Sequence, residues 1–530
     1  MISRLPCEVL EEVFNYLSSD SNFLYNCLLV DKLWCQIIVR ILWRNPWNYY
    51  SLSKSMFWSR ITRTIVSMIP RESEKFMLQN GIDILSISTT GRSHMFNYLG
   101  YCKYLSFKEL HRIRREILEQ IPTLSDFERS HKEFILEKEI YSLFTSRSYS
   151  LAYLQLLDIT LPQVPKSKLS YSNPLSSICP QVKGYLFPSY ITHLELHSYF
   201  SPSLLTTISH ITQVQALTIN PCDSDNLGLS TLIKSQKCLK ELKIVCSHSN
   251  VVFEELSQAI AEKAKMITSI RFVRNVCITS EAILALRELK LLEVDLLEFN
   301  GKRRYLNFDN SLSNLIISPF RSTSMDAPKF SRLETLNILY DDQTPLSVYT
   351  SLINSIQHSK SLKKIFINRW CVPEFNELQP YLNSITSNCG GSENLKSVTI
   401  WYSRYLLAEI EEMLKKCFGL EKIFVLCFED LDEINEGEMA WNDAKPFLDL
   451  LCAYAPATLT NVTLSGKWNL TAPVLREFLK NWKNRKCLNG RVATEALYLK
   501  VDVYPLELDQ ECVKVSKAYI NEGVLEKFCY

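Results

Sequence analysis

One short pattern in the chain has residue types that could bind a metal: His193, Glu195 and His197 alternate with leucines. Alternate residues of a β-strand point to the same face, so two imidazoles and a carboxylate, all zinc ligands, would share one surface. The histidines would, however, lie about 6.6–6.8 Å apart along the strand. No later repeat supplies an obvious extra histidine or cysteine beside them. We interpret the pattern as the solvated face of a strand, with a metal hydrolase using His193 and His197 as the weaker alternative.

Other motifs that carry chemistry are missing from the sequence. It has no Gly-x-Ser-x-Gly, no Gly-x4-Gly-Lys-Ser/Thr, no His-Glu-x-x-His and no Gly-x-Gly-x-x-Gly, so no residue is set up as an activated nucleophile or as a phosphate cradle. The 17 cysteines include no Cys-x-x-Cys pair, which zinc modules need. We predict a protein that is not an enzyme, has no catalytic residues and uses no metal or other cofactor.

The composition is typical of a folded soluble protein with more than one domain. Of its 530 residues, 46% are hydrophobic and 22% charged, and the 59 basic and 57 acidic residues leave a net charge of +2. This balance argues against nucleic acid or an anionic membrane as the main partner. No apolar run reaches about 18 residues, and no signal-peptide pattern begins the chain. Because scattered cysteines suit a reducing compartment, we expect the protein in the cytoplasm, the nucleus or both.

Most of the chain is built from a repeated pattern of apolar residues. From residue 151 a phrase of the form apolar-x-x-apolar-x-apolar recurs with a mean step of about 29 residues. Helical stretches lie between the copies, for example at 253–265, 348–357, 406–417 and 474–482. Strand-then-helix units bury their apolar positions by stacking side by side. The clear copies begin at Leu151, Ile191, Val214, Leu239, Ile267, Leu291, Leu312, Leu333, Leu362, Leu395, Leu420 and Leu459, with a weaker copy around Leu497.

This repeat resembles the leucine-rich repeats that many F-box proteins carry. The resemblance implies a solenoid with parallel strands inside and helices outside. The asparagine or cysteine usual at the ninth position of a unit occurs only at Cys222 and Asn275 among the copies we checked, and the units vary from 21 to 40 residues. We therefore expect an irregular horseshoe. A doubly wound α/β sheet is the alternative, but it would need changes of strand order that tandem units do not suggest.

A target-binding surface is expected on the inner sheet face of this solenoid. Exposed aromatic rings on a sheet are costly unless covered, and aromatic residues dominate binding hot spots. Phe366, Trp401 and Phe424 fall in three successive units, so we expect them side by side. The alternative is that loops or the C-terminal tail cover these rings. The candidate target-binding residues are Glu293, Asp295, Phe366, Asn368, Trp401 and Phe424.

The first 47 residues carry apolar side chains at the spacing of amphipathic helices. Pro6 marks the first turn of one helix, where its missing N–H bonds nothing, and the apolar positions that follow recur with a 3.6-residue period. About 45 residues cannot bury so many apolar side chains among themselves. Part of this apolar surface should therefore meet a partner.

This pattern resembles an F-box and is most similar to those of fungal F-box proteins. The resemblance rests on Leu5-Pro6-x-Glu8-Val9-Leu10-x-x-Val13-Phe14-x-x-Leu17, Leu29-Val30-x-x-x-Trp34 and Leu42-Trp43. In that family the motif binds a Skp-type adaptor, which links the protein to a cullin and so to ubiquitin transfer. The alternative is the core of an ordinary helical cap. The residues that the resemblance places at the adaptor-facing or hairpin-forming surface are Leu5, Pro6, Val9, Leu10, Phe14, Leu17, Leu28, Val30 and Trp34.

The sequence thus predicts an α/β protein in which a helical F-box precedes an irregular leucine-rich-repeat solenoid. We expect the F-box at 1–47, a helical linker and N-terminal cap at 48–150, and the horseshoe with its C-terminal cap at 151–530. Helices are predicted in the linker at 56–68, 73–79, 105–120 and 125–144. The expected function is to recognise a protein target, of unknown identity, for an SCF-type cullin-RING ubiquitin ligase. A non-degradative leucine-rich-repeat interaction scaffold is the alternative.

Overall fold

In the computed structural model the chain divides into two units, which we describe separately. Unit 1 comprises Met1–Cys222 and Asn226–Leu239, and unit 2 comprises Asp223–Asp225 and Lys240–Tyr530. The predicted repeat copy at Leu312 lies outside the described residues. The structure describes residues 5–18, 20–49, 54–84, 95–120, 126–148, 151–157, 188–197, 200, 202–222, 224–246, 253–273, 276, 278–295, 332–339, 346–355, 361–368, 373, 375–389, 393–427, 442–466, 468–485, 496–503 and 510–529.

Unit 1 starts with three short helices, and aspartate side chains cap the first turns of the second and the third. The Asp20 carboxylate accepts the Phe23 backbone N–H at 3.0 Å, and the Asp31 carboxylate accepts that of Trp34 at 2.8 Å. Each bond satisfies a donor that the first helical turn leaves without an internal partner. The three helices are α1 Cys7–Tyr16, α2 Ser21–Cys27 and α3 Lys32–Arg44.

One small apolar core holds these three helices together. Leu10 and Phe14 on α1 meet Leu24 on α2, and all three side chains are at most 1% exposed. The Phe14 ring packs edge-on against Trp34 of α3, with 4.9 Å between the centroids. The rest of this core consists of Cys27, Ile37, Ile38, Ile41 and Leu42.

The remainder of unit 1 is helical up to a short parallel sheet. Four helices match those predicted for the linker to within three residues: α4 Lys54–Val66, α5 Arg71–Gln79, α6 Phe107–Leu118 and α7 Asp126–Arg147. Two more, α8 Pro202–Ile208 and α9 Leu227–Ser235, accompany the later strands. The strands are β1 Tyr104–Ser106, β2 Tyr153–Leu157, β3 His193–His197 and β4 Ala216–Ile219. Because β1 lies within the predicted linker, the sheet begins earlier than residue 151.

Each strand of unit 1 pairs in parallel with the next in chain order. Leu154, Leu194 and Leu217, paired in register, are at most 1% exposed and form the buried side of the sheet. The residues that alternate with them, such as Tyr153 and His193, point to the opposite side. We call this second side the open face of the unit.

Unit 2 repeats the same strand-then-helix order. Ten of its strands pair in parallel in chain order, and β12 and β14 form a separate two-stranded sheet. The strands are β5 Glu241–Val245, β6 Ser269–Val273, β7 Leu291–Asp295, β8 Thr335–Leu339, β9 Lys364–Asn368, β10 Ser397–Tyr402, β11 Lys422–Cys427, β12 Asn442–Asp443, β13 Asn461–Gly466, β14 Trp468–Asn469, β15 Leu497–Val503 and β16 Leu525–Cys529. The helices are α10 Glu254–Lys263, α11 Ser280–Ala285, α12 Leu346–Ser355, α13 Phe375–Cys389, α14 Leu407–Lys416, α15 Lys445–Tyr454, α16 Ala472–Asn484 and α17 Gln510–Asn521.

The predicted fold class, an α/β solenoid of parallel strands and helices, is confirmed. Apart from β12 and β14, the described strands of each unit pair in chain order, which excludes the doubly wound alternative for them. The four repeat helices named from the sequence are α10, α12, α14 and α16, with ends shifted by one or two residues. Of the helices in the part of the chain that the structure describes, none is long and apolar enough to cross a membrane.

Candidate functional site

The three N-terminal helices expose a set of large apolar side chains that is separate from their core. Val9, Val13 and Tyr16 follow one another at spacings of four and three residues, so they form one stripe along α1, and Leu5 lies two residues before that helix. Leu29, in the turn before α3, is 88% exposed. Large apolar side chains exposed in such numbers on one small helical element are typical of interaction sites. We call the following set the N-terminal apolar surface: Leu5, Val9, Val13, Tyr16, Phe23, Tyr25, Leu29 and Val30.

The nine predicted adaptor-binding residues divide between this surface and the core. Four of them are exposed: Leu5, Pro6, Val9 and Val30. Three are half-buried: Leu17, Leu28 and Trp34. Leu10 and Phe14 are each 1% exposed and stabilise the helices themselves. Val13 and Leu29 belong to the pattern that resembles an F-box but were not among the predicted adaptor-binding residues, and Tyr16 was not singled out. The four-residue step from Val9 to Val13 was a signal for Val13.

Polar contacts fix these helices to one another and to the sheet of unit 1. The Arg44 guanidinium on α3 donates to the Asn15 side-chain oxygen at 2.7 Å and to the Glu11 carboxylate at 2.5 Å, both on α1. The Arg44 carbonyl accepts the Lys103 backbone N–H at 2.9 Å, directly before β1. The Trp47 indole N–H donates to the Tyr104 carbonyl, in β1, at 3.1 Å. The N-terminal apolar surface is therefore presented by a firmly held element.

Two of the three aromatic rings that we expected side by side meet on the sheet of unit 2. The rings of Phe366 on β9 and Phe424 on β11 are half-buried and meet edge to face, with 5.3 Å between their centroids. The Lys364 ammonium lies 5.3 Å from the centroid of the Phe366 ring, a cation–π contact. Asn368 is half-buried at the end of β9. We call Phe366 and Phe424 with Lys364 the aromatic patch.

The two acidic candidates lie on an earlier strand, β7. Glu293 accepts a hydrogen bond from the Asn337 side-chain amide at 3.1 Å and lies 3.9 Å from Arg271. Asp295 ends the same strand, and its side chain lies outside what the structure describes. Because β8 separates β7 from β9, Glu293 is two strands away from the aromatic patch.

Trp401, which we expected beside Phe366 and Phe424, is instead buried. Its side chain is 2% exposed, and its ring centroid lies 5.3 Å from that of Tyr381 on α13. The cause is local: β9 and β10 pair only through Ser397 and Val398 and then separate. Beyond that point the Tyr381 hydroxyl donates to the Thr399 carbonyl at 2.9 Å, in place of a strand partner. Trp401 therefore packs in the core and does not contribute to the aromatic patch.

The His193, Glu195 and His197 side chains lie on the open face of unit 1, but they do not form a metal site. The His197 Nε2 donates to the Glu195 carboxylate at 2.9 Å, and the Gln155 amide donates to the same oxygen at 2.9 Å. His193 instead contacts the hydroxyl of Thr192 through Nδ1, at 2.9 Å. Within the residues that the structure describes, no three His, Cys, Asp or Glu side chains converge as metal ligands would.

Glu195 is held in its ionised form by this network. Burial disfavours the charge, but hydrogen bonds from His197, Tyr153 and Gln155 outweigh it and lower the pKa of Glu195 to about 2. Tyr153 and Gln155 both lie on the neighbouring strand, β2. Sequence reasoning missed these two residues, because their position beside Glu195 depends on the register of the strands.

Acid is expected to destabilise unit 1 through Glu195. Its folded pKa of about 2 lies below the ordinary value of 4.5, so the stabilisation is fully present above about pH 4.5 and is lost as the pH falls towards 2. At neutral pH we expect Glu195→Gln to cost about 2–3 kcal/mol of unfolding free energy. Urea unfolding of the two proteins at about pH 7 and pH 3 measures this difference. If the substitution cost the same unfolding free energy at both pH values, the ionised Glu195 carboxylate would not be the source of the stabilisation.

The geometry defines the class of the fold as a leucine-rich-repeat-like α/β solenoid that carries N-terminal helices. The leucine-rich repeat-containing protein LegL7 from Legionella pneumophila has a similar solved structure, with 13% sequence identity and a TM-score of 0.30 over 66% of this chain and 96% of that one. No protein-family model matches the chain. No curated protein is significantly similar to it in sequence.

Proposed function

We propose that this chain is a substrate-recognition subunit of an SCF-type cullin-RING ubiquitin ligase. The observation that carries the proposal is the N-terminal apolar surface, which coincides with the stretch of sequence that resembles an F-box. In this proposal the surface binds a Skp-type adaptor and, through it, a cullin. The repeat units hold a protein target close to the ubiquitin-charged enzyme, and proximity accelerates the transfer. The protein would act in the cytoplasm, the nucleus or both.

The N-terminal helices contain two sets of apolar side chains, of which only one is needed for folding. Leu10, Phe14 and Leu24 are buried without any contribution from Leu29 or Val30, which are 88% and 59% exposed. Exposing such side chains to water is unfavourable by about 25 cal/mol per Å² of apolar area. Covering them with an apolar partner surface recovers this free energy, whereas a purely structural cap would need no such set.

Reconstitution of ubiquitin transfer tests the proposal without a known target. Purified full-length chain, Skp-type adaptor, cullin–RING and charged conjugating enzyme are mixed, and ubiquitin attached to the chain's own lysines is followed. We expect transfer that requires the adaptor, because only the adaptor connects the chain to the cullin. Transfer at the same rate without the adaptor, or none in the complete mixture, would contradict the proposal.

Removal of the aromatic patch is expected to stop target turnover without affecting the adaptor. Rings that meet on an exposed sheet face are typical binding anchors. Phe366→Ala/Phe424→Ala should therefore stabilise the same cellular proteins as a variant that cannot bind the adaptor. Proteome-wide pulse-chase mass spectrometry in fungal cells measures the half-lives.

A second aromatic pair in unit 2 supplies the matched control for this experiment. Phe375 and Tyr405 are 52% and 60% exposed and also meet edge to face, with 6.0 Å between centroids. Phe375→Ala/Tyr405→Ala should leave the half-lives unchanged. The aromatic patch would lose its assigned role if both double variants stabilised the same proteins, or if neither stabilised any.

The scaffold alternative makes a different prediction in the same cells. A chain that binds partners without delivering them for degradation would alter no half-lives when Leu5 and Pro6 are both replaced by alanine. Under the ligase proposal this replacement lengthens the half-lives of a defined set of proteins.

A further inference from the structure

The open face of unit 1 carries three aromatic rings in a row across neighbouring strands. Tyr104, Tyr153 and His193 are paired in register on β1, β2 and β3. The two tyrosine rings stack with centroids 4.0 Å apart and planes at 18°, and His193 continues the row at 6.1 Å and 22° from Tyr153. The contact between its Nδ1 and the Thr192 hydroxyl, at 2.9 Å, fixes the plane of the His193 ring.

This row ends abruptly at the fourth strand. The residue paired with His193 on β4 is Ala216, whose side chain is a single methyl group. His193 is exposed, so the side of its ring that faces Ala216 has no aromatic neighbour in the described strand. Neighbouring strands lie about 4.8 Å apart, which leaves room above Ala216 for one flat group parallel to the imidazole.

A carboxylate that retains acceptor capacity lies next to this position. Glu195 is two residues from His193 on the same strand and points to the same face. A carboxylate has about four acceptor positions, and Glu195 uses three of them for His197, Gln155 and Tyr153. Strands β1–β4 themselves contain no lysine or arginine that could pair with this charge.

We propose that the open face of unit 1 binds an arginine side chain of a partner protein, with the guanidinium stacked on His193 above Ala216 and hydrogen-bonded to Glu195. The guanidinium is planar and permanently charged, so it can lie parallel to a ring and donate from its edge to a carboxylate at the same time. A lysine ammonium has the charge but not the plane. This site is distinct from the aromatic patch of unit 2 and does not depend on adaptor binding.

Ligand-observed NMR with the full-length chain tests the proposal. The probe is a nine-residue glycine–serine peptide with arginine at its centre, and saturation transfer from the protein to the arginine side chain is measured. Peptides with citrulline or lysine at the centre are the controls, since citrulline keeps the plane without the charge and lysine keeps the charge without the plane. We expect the signal of the arginine peptide to exceed those of the citrulline and lysine peptides by about tenfold. This is roughly the factor in affinity that one charge-assisted hydrogen bond contributes.

Two variants and one control locate the binding. Glu195→Gln removes the negative charge. Ala216→Tyr places a fourth ring in the space beside His193, and this variant should fold because aromatic pairs on neighbouring strands stabilise a sheet. Both should abolish the arginine signal. Glu133→Gln, on α7 of unit 1, removes a carboxylate whose exposure is close to that of Glu195 and should leave the signal unchanged.

Other outcomes would overturn the inference. Equal signals from the arginine and lysine peptides would refute stacking on His193. A signal that persists in Ala216→Tyr would place the arginine elsewhere, even if Glu195→Gln failed to fold. No signal from a folded wild-type chain would remove the site altogether.

Discussion

Leu29→Glu/Val30→Glu is expected to weaken binding of a Skp-type adaptor by roughly 100-fold, or about 2.8 kcal/mol, while the stability of the chain is unchanged. These residues are 88% and 59% exposed, so the folded chain loses little packing when they change. An apolar partner surface, in contrast, would have to bury two carboxylates without compensating charges, which is costly. Titration calorimetry with the purified adaptor measures the affinity, and thermal unfolding measures the stability.

The matched control for this double variant is Leu227→Glu. Leu227 is 63% exposed in unit 1, and it lies at the start of α9, outside the N-terminal apolar surface. It therefore tests whether any exposed leucine replaced by glutamate has the same effect. Adaptor affinity that falls equally in both proteins, or in neither, would contradict the assignment of the N-terminal apolar surface.

Gly466→Ala is expected to destabilise unit 2 by about 2–4 kcal/mol. Gly466 ends β13 with φ at +103°, a region that residues with a side chain rarely adopt. A Cβ at this position would also overlap the carbonyl oxygen of Cys427, its partner on β11. The substitution must therefore push apart the two strands, and β11 carries Phe424 of the aromatic patch. Urea unfolding gives the free energy.

Gly523→Ala separates the two causes of this effect. Gly523 has a similar positive φ of +73°, but a Cβ there would meet no atom within 4 Å. We expect a cost of about 1 kcal/mol, from the backbone conformation alone. If the two variants lost the same unfolding free energy, the overlap with Cys427 would contribute nothing to the requirement for glycine at position 466.

The buried residues of a strand could be predicted from the sequence where apolar and polar residues alternate regularly. Leu154 and Leu156, or Leu194 and Leu196, alternate with polar residues, and each pair is buried in the strand that the repeat phrase predicted. In β7, however, several leucines follow one another, and we placed the phrase at Leu291 although Leu292 is the buried residue. A continuous apolar run fits two registers, and only packing against the neighbouring strands selects one.

The candidate sites were harder to predict than the strands, because they depend on contacts between residues that are far apart in the sequence. The stripe on α1 could be predicted in part, because helical spacing places Val9 and Val13 on one face. The burial of Trp401 could not, since it follows from the early separation of β9 and β10 and from the insertion of Tyr381 beside them. Likewise, the ring row at Tyr104 requires β1, a strand of three residues inside a segment that reads as helical.

Titration calorimetry of the wild-type chain with purified adaptor–cullin complex determines whether the N-terminal apolar surface binds a Skp-type adaptor. We expect a one-to-one complex with a Kd of about 1 µM or tighter, equivalent to a binding free energy of about 8 kcal/mol. We also expect a negative heat-capacity change, because the exposed apolar side chains of α1 and of the turn before α3 would leave water. A folded chain that releases no heat and forms no complex at concentrations of about 50 µM, well above that Kd, would contradict adaptor binding by this surface.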